Sequence, residues 1–140
     1  MIKFLVLSIL LGVGVSAFQL PVRSKIIMNI MENIDIHNQK IIYCDDKELL
    51  HDLSKRYKTS SDCKSSNLII LSKKGALLQE CENKNIFVLN YNLLYKLPQS
   101  FGAFFFKKGR ANIILLEPRL KELKIKPSKQ LEPYIEDQLW

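Results

Sequence analysis

The sequence predicts a small single-domain α/β fold with about three parallel strands. Three short segments, Gln39–Cys44, Asn67–Lys74 and Asn85–Tyr91, each contain an uninterrupted apolar core and alternate with segments of helical periodicity. This alternation is typical of parallel strands joined by helical crossovers. Their apolar cores are continuous, as expected for strands that are covered on both faces. These observations favour an α/β layer over the first two thirds of the chain.

Helices are predicted before, between and after these strands. Residues 21–34 and 45–57 repeat their apolar positions at the spacing of one helical face. Pro21 is tolerated in the first turn of a helix, and Asp45 or Asp46 suits the N-cap of the second helix. Shorter helices are predicted at 75–83, 92–97 and 118–123, and a final helix at 127–139, which Pro133 would kink or restart.

The stretch FGAFFFKKGRANIILLEPR, residues 101–119, predicts an antiparallel β-hairpin that extends the sheet. Two apolar runs, 102–106 and 112–117, are joined by the four residues KKGR, in which Gly109 is placed to adopt a positive φ. A phosphate-binding loop would instead need glycines that open a helix and a Lys followed by Ser or Thr. The stretch is therefore interpreted as a hairpin.

The same hairpin supplies the candidate interaction residues. Phe104 and Phe106 share one face of an extended strand, and Phe105 lies on the other. A terminal hairpin with an exposed phenylalanine and a basic tip is typical of a docking surface. The alternative, in which the hairpin only ends the sheet, stays open. The candidate residues are Phe104, Phe105, Phe106, Lys107, Lys108 and Arg110.

The first residues predict export. Lys3 precedes the apolar run Phe4–Val15, and Val15-Ser16-Ala17 places compact residues at −3 and −1 of a cleavage site. A run of about twelve residues is too short to cross a hydrocarbon core of roughly 30 Å. We therefore expect a signal peptide at 1–17, cleavage after Ala17, and a single periplasmic domain at 18–140 with no transmembrane segment.

The net charge of the chain indicates which kinds of molecule it could bind. The formal net charge is +7, and the basic residues are spread along the chain with acidic residues among them. Such a balance can accompany nucleic-acid binding, but an exported protein does not meet nucleic acid. We expect a solubilising surface with some attraction to an acidic partner or an anionic membrane.

The positions of the three cysteines, Cys44, Cys63 and Cys81, predict one disulfide. Cys63 and Cys81 each precede a predicted parallel strand by four residues, so they would meet at one end of the sheet within bridging distance. Cys44 ends the first strand, at the opposite end. We predict a Cys63–Cys81 bridge, with three reduced, buried cysteines as the alternative. The spacing matches no common zinc pattern, and no metal site is assigned.

No catalytic constellation is recognisable. The pair Asp45-Asp46 after the first strand resembles the start of a phosphoacceptor domain, but the second strand ends Leu71-Ser72-Lys73 without the third carboxylate. Cys44 and His51 lie roughly 9–10 Å apart by helical rise, too far for a nucleophile and its base. A G-x-S-x-G elbow is absent from the sequence. We therefore expect a non-enzymatic protein without a cofactor.

The C-terminal part of the chain has a recognisable order of elements. It contains a strand led by Gly102, a turn ending Gly109-Arg110, a strand containing Ile113, a short helix, and Ile125-Lys126-Pro127-Ser128 before the last helix. Over about the C-terminal 100 residues this order resembles the YfiR/HmsC-like periplasmic family. The chain departs from the family in having Gly102-Ala103 where paired glycines are usual.

The resemblance implies a function. Members of that family bind the periplasmic part of an inner-membrane diguanylate cyclase and hold it inactive, and their structural disulfides make this control redox-sensitive. This chain would then be a regulator that contacts the periplasmic domain of an inner-membrane protein. The alternative is a structural or accessory subunit of a larger envelope assembly, such as a secretion or motility machine.

A small-solute binding protein is the third hypothesis. It would use the crevice at the carboxyl ends of the strands, around 44–46, 72–74 and 90–92. A single domain of this size offers no second lobe to enclose a ligand. The sequence leaves a homo-oligomer open.

Overall fold

A computed structural model describes residues 20–139 of the chain. The predicted signal peptide at 1–17 lies outside the described residues. In chain order the strands are β1 (Ile34–Asp35), β2 (Ile41–Cys44), β3 (Lys58–Thr59), β4 (Leu68–Leu71), β5 (Asn85–Val88), β6 (Ser100–Lys107), β7 (Arg110–Leu116), β8 (Lys126–Pro127) and β9 (Ile135–Glu136). The α-helices are α1 (Val22–Glu32), α2 (Lys47–Leu53), α3 (Tyr91–Lys96) and α4 (Glu117–Glu122).

Seven of the strands form one mixed sheet in the order β3-β2-β4-β5-β6-β7-β9. The first five strands in this order are parallel to one another. β7 is antiparallel to β6, and β9 is parallel to β7. β1 and β8 form a separate two-stranded antiparallel ribbon. The predicted α/β class is confirmed, and the sheet is larger than the three parallel strands and hairpin that the sequence predicts.

The central strands are covered on both faces, as their continuous apolar cores predict. Within β4, Leu68 and Ile70 belong to one buried cluster, which also contains the apolar face of α1. Ile69 and Leu71 belong to a second cluster, which contains the buried leucines of α3. Because successive side chains of a strand point to opposite faces, one apolar run supplies both layers.

The N-cap of α2 has the side-chain hydrogen bond that the sequence predicts. Asp46 is the N-cap of α2, and its carboxylate accepts a hydrogen bond from the backbone N–H of Leu49 at 3.1 Å. This satisfies one of the free amides of the first turn. Pro21 occupies the N-cap position of α1. None of the helices within residues 20–139 is long and apolar enough to cross a membrane.

The hairpin is confirmed, but its turn is shorter than the four residues KKGR. Lys107 and Arg110 pair with each other, so the turn itself consists only of Lys108 and Gly109. Both turn residues have positive φ, 53° and 77°. This is the conformation of a two-residue turn that matches the twist of the flanking strands. Lys107 and Arg110 therefore belong to the ladder.

The predicted final helix at 127–139 is wrong in type and length. Residues Lys129–Tyr134 form a 3₁₀ helix, and the chain then extends into β9. Pro133 has no backbone N–H and its ring clashes with the carbonyl four residues earlier, so an α-helix cannot continue there. The predicted helix at 75–83 is likewise replaced by two 3₁₀ turns, Lys74–Ala76 and Gln79–Cys81.

Candidate protein-interaction surface

The hairpin projects beyond the rest of the sheet. The last pair between β5 and β6 is Val88 with Ala103, whereas β6 continues to Lys107. The four residues after Ala103 therefore extend as a two-stranded ribbon with β7 over about 13 Å at 3.3 Å per residue. This ribbon carries all six interaction residues that the sequence predicts.

The three phenylalanines have three different environments. Phe104 is 1% exposed and belongs to the core, so its ring is not available at the surface. The half-buried ring of Phe105 packs against Tyr91 of α3, with centroids 5.3 Å apart. Phe106 is 55% exposed and contacts Phe104 edge-on at 5.3 Å. Three consecutive residues therefore pass from the buried core to the exposed surface.

A shallow groove of about 480 Å³ lies between the hairpin and α3. Three residues of this surface are not among those predicted from the sequence: Tyr91, Asn112 and Ile114. The strand alternation that separates Phe105 from its neighbours would have placed Asn112 beside it, once the hairpin register was known. The groove is lined by Tyr91, Phe105, Phe106, Lys107, Asn112 and Ile114.

Three cations surround the tip of the hairpin. Lys107, Lys108 and Arg110 are exposed, and they line a second concavity of about 400 Å³ together with Asn112. None of the ion pairs between described residues includes these three side chains. The tip therefore carries positive charge that no acidic residue of the described chain neutralises.

Arg119 joins the end of α3 that is remote from the groove to the start of β6. Its guanidinium donates to the carbonyls of Leu94 and Leu97, at 2.9 and 3.4 Å, and to the carbonyl of Ser100 at 3.0 Å. These bonds join the C-terminal turn of α3 to the first residue of β6. Burial lowers the pKa of Arg119.

The Cys63–Cys81 disulfide is confirmed, at the opposite end of the sheet. The Cα atoms of the two cysteines are 6.2 Å apart, and the residues precede β4 and β5. The ammonium group of Lys84 reinforces this end by donating to the carbonyls of Cys63, Lys64 and Ser66 at 3.0, 2.6 and 2.6 Å. The bridge and the interaction residues therefore do not share a site.

Cys44 is a buried free thiol. Burial, with a smaller contribution from Asp45 and Asp46, raises the pKa of this thiol to about 12. A thiol with such a pKa is not ionised at neutral pH and is a poor nucleophile.

The two carboxylates in the crevice at the carboxyl ends of β2 and β4 are bonded to other groups of the same chain. Asp45 accepts hydrogen bonds from the backbone N–H groups of Ser72 and Lys73 at 2.7 and 3.0 Å, and from the Ser72 hydroxyl at 2.9 Å. Asp46 pairs with Arg23 at 2.9 Å. Within residues 20–139 there is no group of three or more His, Cys, Asp or Glu side chains that could hold a metal ion.

Comparison of the chain with protein-family models, curated proteins and solved structures found no significant match. The resemblance to the YfiR/HmsC-like family accordingly stays a prediction.

Proposed function

We propose that this protein is an exported, non-enzymatic protein-binding domain that docks its partner through the hairpin surface. We define the hairpin surface by the residues that line the groove and the tip: Tyr91, Phe105, Phe106, Lys107, Lys108, Arg110, Asn112 and Ile114. The observation that carries this proposal is the exposed Phe106 on a ribbon that projects from the sheet, beside three cations that form no ion pair with another described residue.

The composition of the surface suits protein recognition. Aromatic residues and arginine are enriched among the residues that dominate binding energy, and they bind best in a water-excluding pocket. Phe105 and Tyr91 already pack together in the free protein, so little ordering of these rings is needed on binding. A preformed site avoids part of the entropy that association otherwise costs.

The partner is proposed to be the periplasmic domain of an inner-membrane protein, which this chain regulates. The predicted signal peptide and the family resemblance support this choice, and the positive tip supports an acidic contact site on the partner. A structural subunit would use the same surface with fixed stoichiometry, so the identity of the partner separates the two roles.

The decisive experiment is photo-crosslinking in intact cells. A photoreactive amino acid replaces Phe106, which is exposed and touches the groove. The control carries the same group at Val22, which is 64% exposed on α1 and outside the hairpin surface. We expect a membrane protein with a periplasmic domain to be captured from position 106 and not from position 22.

Two results would contradict the proposal. Equal capture from positions 106 and 22 would mean that the hairpin is not a specific surface. Capture of several copies of one large envelope machine would make the chain a building block rather than a regulator. If a specific partner is captured, Phe106→Ser should abolish its co-purification. The melting temperature of Phe106→Ser should stay near that of the wild type, because residue 106 is exposed.

A further inference from the structure

The outer edge of β7 is open towards the hairpin tip, whereas the 3₁₀ helix Lys129–Tyr134, which leads into β9, contacts the part of β7 nearest β9. β9 pairs only with Leu115 and Leu116, the last two residues of β7. Among the described residues, 110–114 have a strand partner on the β6 side only. An edge of five residues is about 17 Å long, which is the common length of a β-strand.

The hairpin register shows which backbone groups face outward. Lys107 and Arg110 close a two-residue turn, so they exchange hydrogen bonds, and such pairs recur at every second position. Asn112 and Ile114 thus face β6, whereas the N–H and C=O groups of Ala111 and Ile113 point away from it. None of the other backbone hydrogen bonds between described residues uses Ala111 or Ile113.

This edge lacks several of the usual protections against strand addition. Proteins protect exposed edges with proline, bulges or very short strands. β7 has seven residues without proline, and its pairing with β6 has no register shift. Charge is the one protective feature present, in Lys107, Lys108 and Arg110 at the tip. Positive charge discourages a like-charged strand, including a second copy of this +7 chain, and favours an acidic one.

We propose that an extended acidic segment of the partner protein adds to the sheet along residues 110–114 of β7. Its backbone pairs with Ala111 and Ile113, its acidic side chains meet the basic tip, and alternate apolar side chains contact the hairpin. This inference rests on the proposed function, because it specifies how the hairpin surface would bind its partner. Main-chain pairing would supply affinity, and the charges would supply selectivity.

The outward direction of the Ala111 N–H permits a specific test. Ala111→Pro removes this N–H without removing a bond to β6, and proline is tolerated at such positions of edge strands. The matched control is Ala111→Thr, which keeps the N–H and suits a strand. Circular dichroism and melting temperature establish that both variants keep the fold.

The probe is a phage-displayed library of random eight-residue peptides. We expect the wild type and Ala111→Thr to enrich peptides that combine acidic residues with alternating apolar residues. Ala111→Pro should bind the selected peptide about two- to ten-fold more weakly, as expected for the loss of a main-chain hydrogen bond. Binding of the selected peptide by the wild type should also weaken as salt concentration rises.

Hydrogen exchange on the wild type provides a readout that does not need a variant. The selected peptide should slow exchange of the Ala111 and Ile113 amides most, because the Asn112 and Ile114 amides are already bonded to β6. The proposal is overturned if these two amides are unaffected, if Ala111→Pro binds equally well, or if no acidic peptide is enriched. It is also overturned if the wild type sediments as a dimer that Ala111→Pro separates, since a second copy then occupies the edge.

Failure of this inference can be distinguished from failure of the proposed function. If photo-crosslinking from position 106 captures the same partner in the Ala111→Pro background, the hairpin surface binds without strand addition and only this inference is wrong. If position 106 captures no specific partner in the wild-type background, the proposed function itself is wrong.

Discussion

The amino end of the parallel sheet and the tip of the hairpin are built in opposite ways. At the amino end, the Cys63–Cys81 bridge and Lys84 join the segments that lead into β4 and β5. Asn67 extends this network through its side chain, which donates to the carbonyl of Gln39 and accepts from the N–H of Ile41 at 2.7 and 2.8 Å. At the carboxyl end, the hairpin extends past its neighbours with an exposed ring, free cations and an open backbone edge.

The two regions differ in whether their polar groups have partners within the chain. The amino end gains stability by satisfying its polar groups within the chain. The tip of the hairpin has backbone groups and charges that pair with no other described residue, and it exposes apolar surface to water. Regions with few internal partners contribute little to stability and are therefore available for binding. Three predictions test this comparison.

The largest effect is expected at the amino end. Replacing Cys63 and Cys81 together by serine removes a cross-link between residues 18 apart in sequence, which contributes about 3 kcal/mol by restricting the unfolded chain. The melting temperature in oxidising buffer should fall by about 10 °C. Strong reductant should bring the wild type close to the variant. An unchanged melting temperature would show that the bridge does not stabilise this end.

The base of the hairpin should be nearly as sensitive. A Cβ at Gly102 would lie 2.6 Å from a methyl carbon of Leu115 and 2.7 Å from the carbonyl oxygen of Ile114. Gly102→Ala should therefore destabilise the fold by about 1–3 kcal/mol in denaturant unfolding, since a tightly packed strand pair has to move. Gly75→Ala is the control, because a Cβ there meets nothing within 4 Å. Equal stability of the two variants would mean that the hairpin is loosely packed down to its base.

The smallest change in the free energy of unfolding is expected for a substitution at Asp46, at the carboxyl end of β2. Burial raises the pKa of this carboxyl, but the Leu49 N–H and the Arg23 guanidinium outweigh burial and lower the pKa overall. Its stabilising contribution is therefore complete above the unfolded-state pKa and is lost as pH falls through the lower folded-state pKa. Asp46→Asn keeps the cap and removes the charge, so it should cost about 0.5–1 kcal/mol at neutral pH.

The pH dependence of that loss is the informative measurement. Unfolding free energies of the wild type and Asp46→Asn should converge as the pH falls below the folded-state pKa of the carboxyl, where it is protonated. The effect of the Cys63 and Cys81 replacement should persist there, because a disulfide does not titrate. A constant difference between the wild type and Asp46→Asn at all pH values would show that the charge of Asp46 is not what stabilises this end.

Several features could be predicted from the sequence because they depend on local chemistry. The apolar cores of β2, β4 and β5 require burial wherever they lie in the fold. The cap at Asp46 depends on residues within one helical turn. The Cys63–Cys81 pairing follows from equal distances to two strands that are parallel neighbours. The candidate interaction residues were predicted only as one stretch, and Tyr91, which lines the same groove from another element, was not among them.

The sequence by itself determined the α/β class, the hairpin and the disulfide pair. Only the tertiary structure decided which of the three phenylalanines is exposed, because this depends on β5 ending beside Ala103 while β6 continues. It also decided that the last segment forms β9 and covers two residues of β7, leaving 110–114 open. These outcomes depend on contacts between segments distant in sequence. Periodicity reports which faces of a segment are apolar, but not where a neighbouring strand stops.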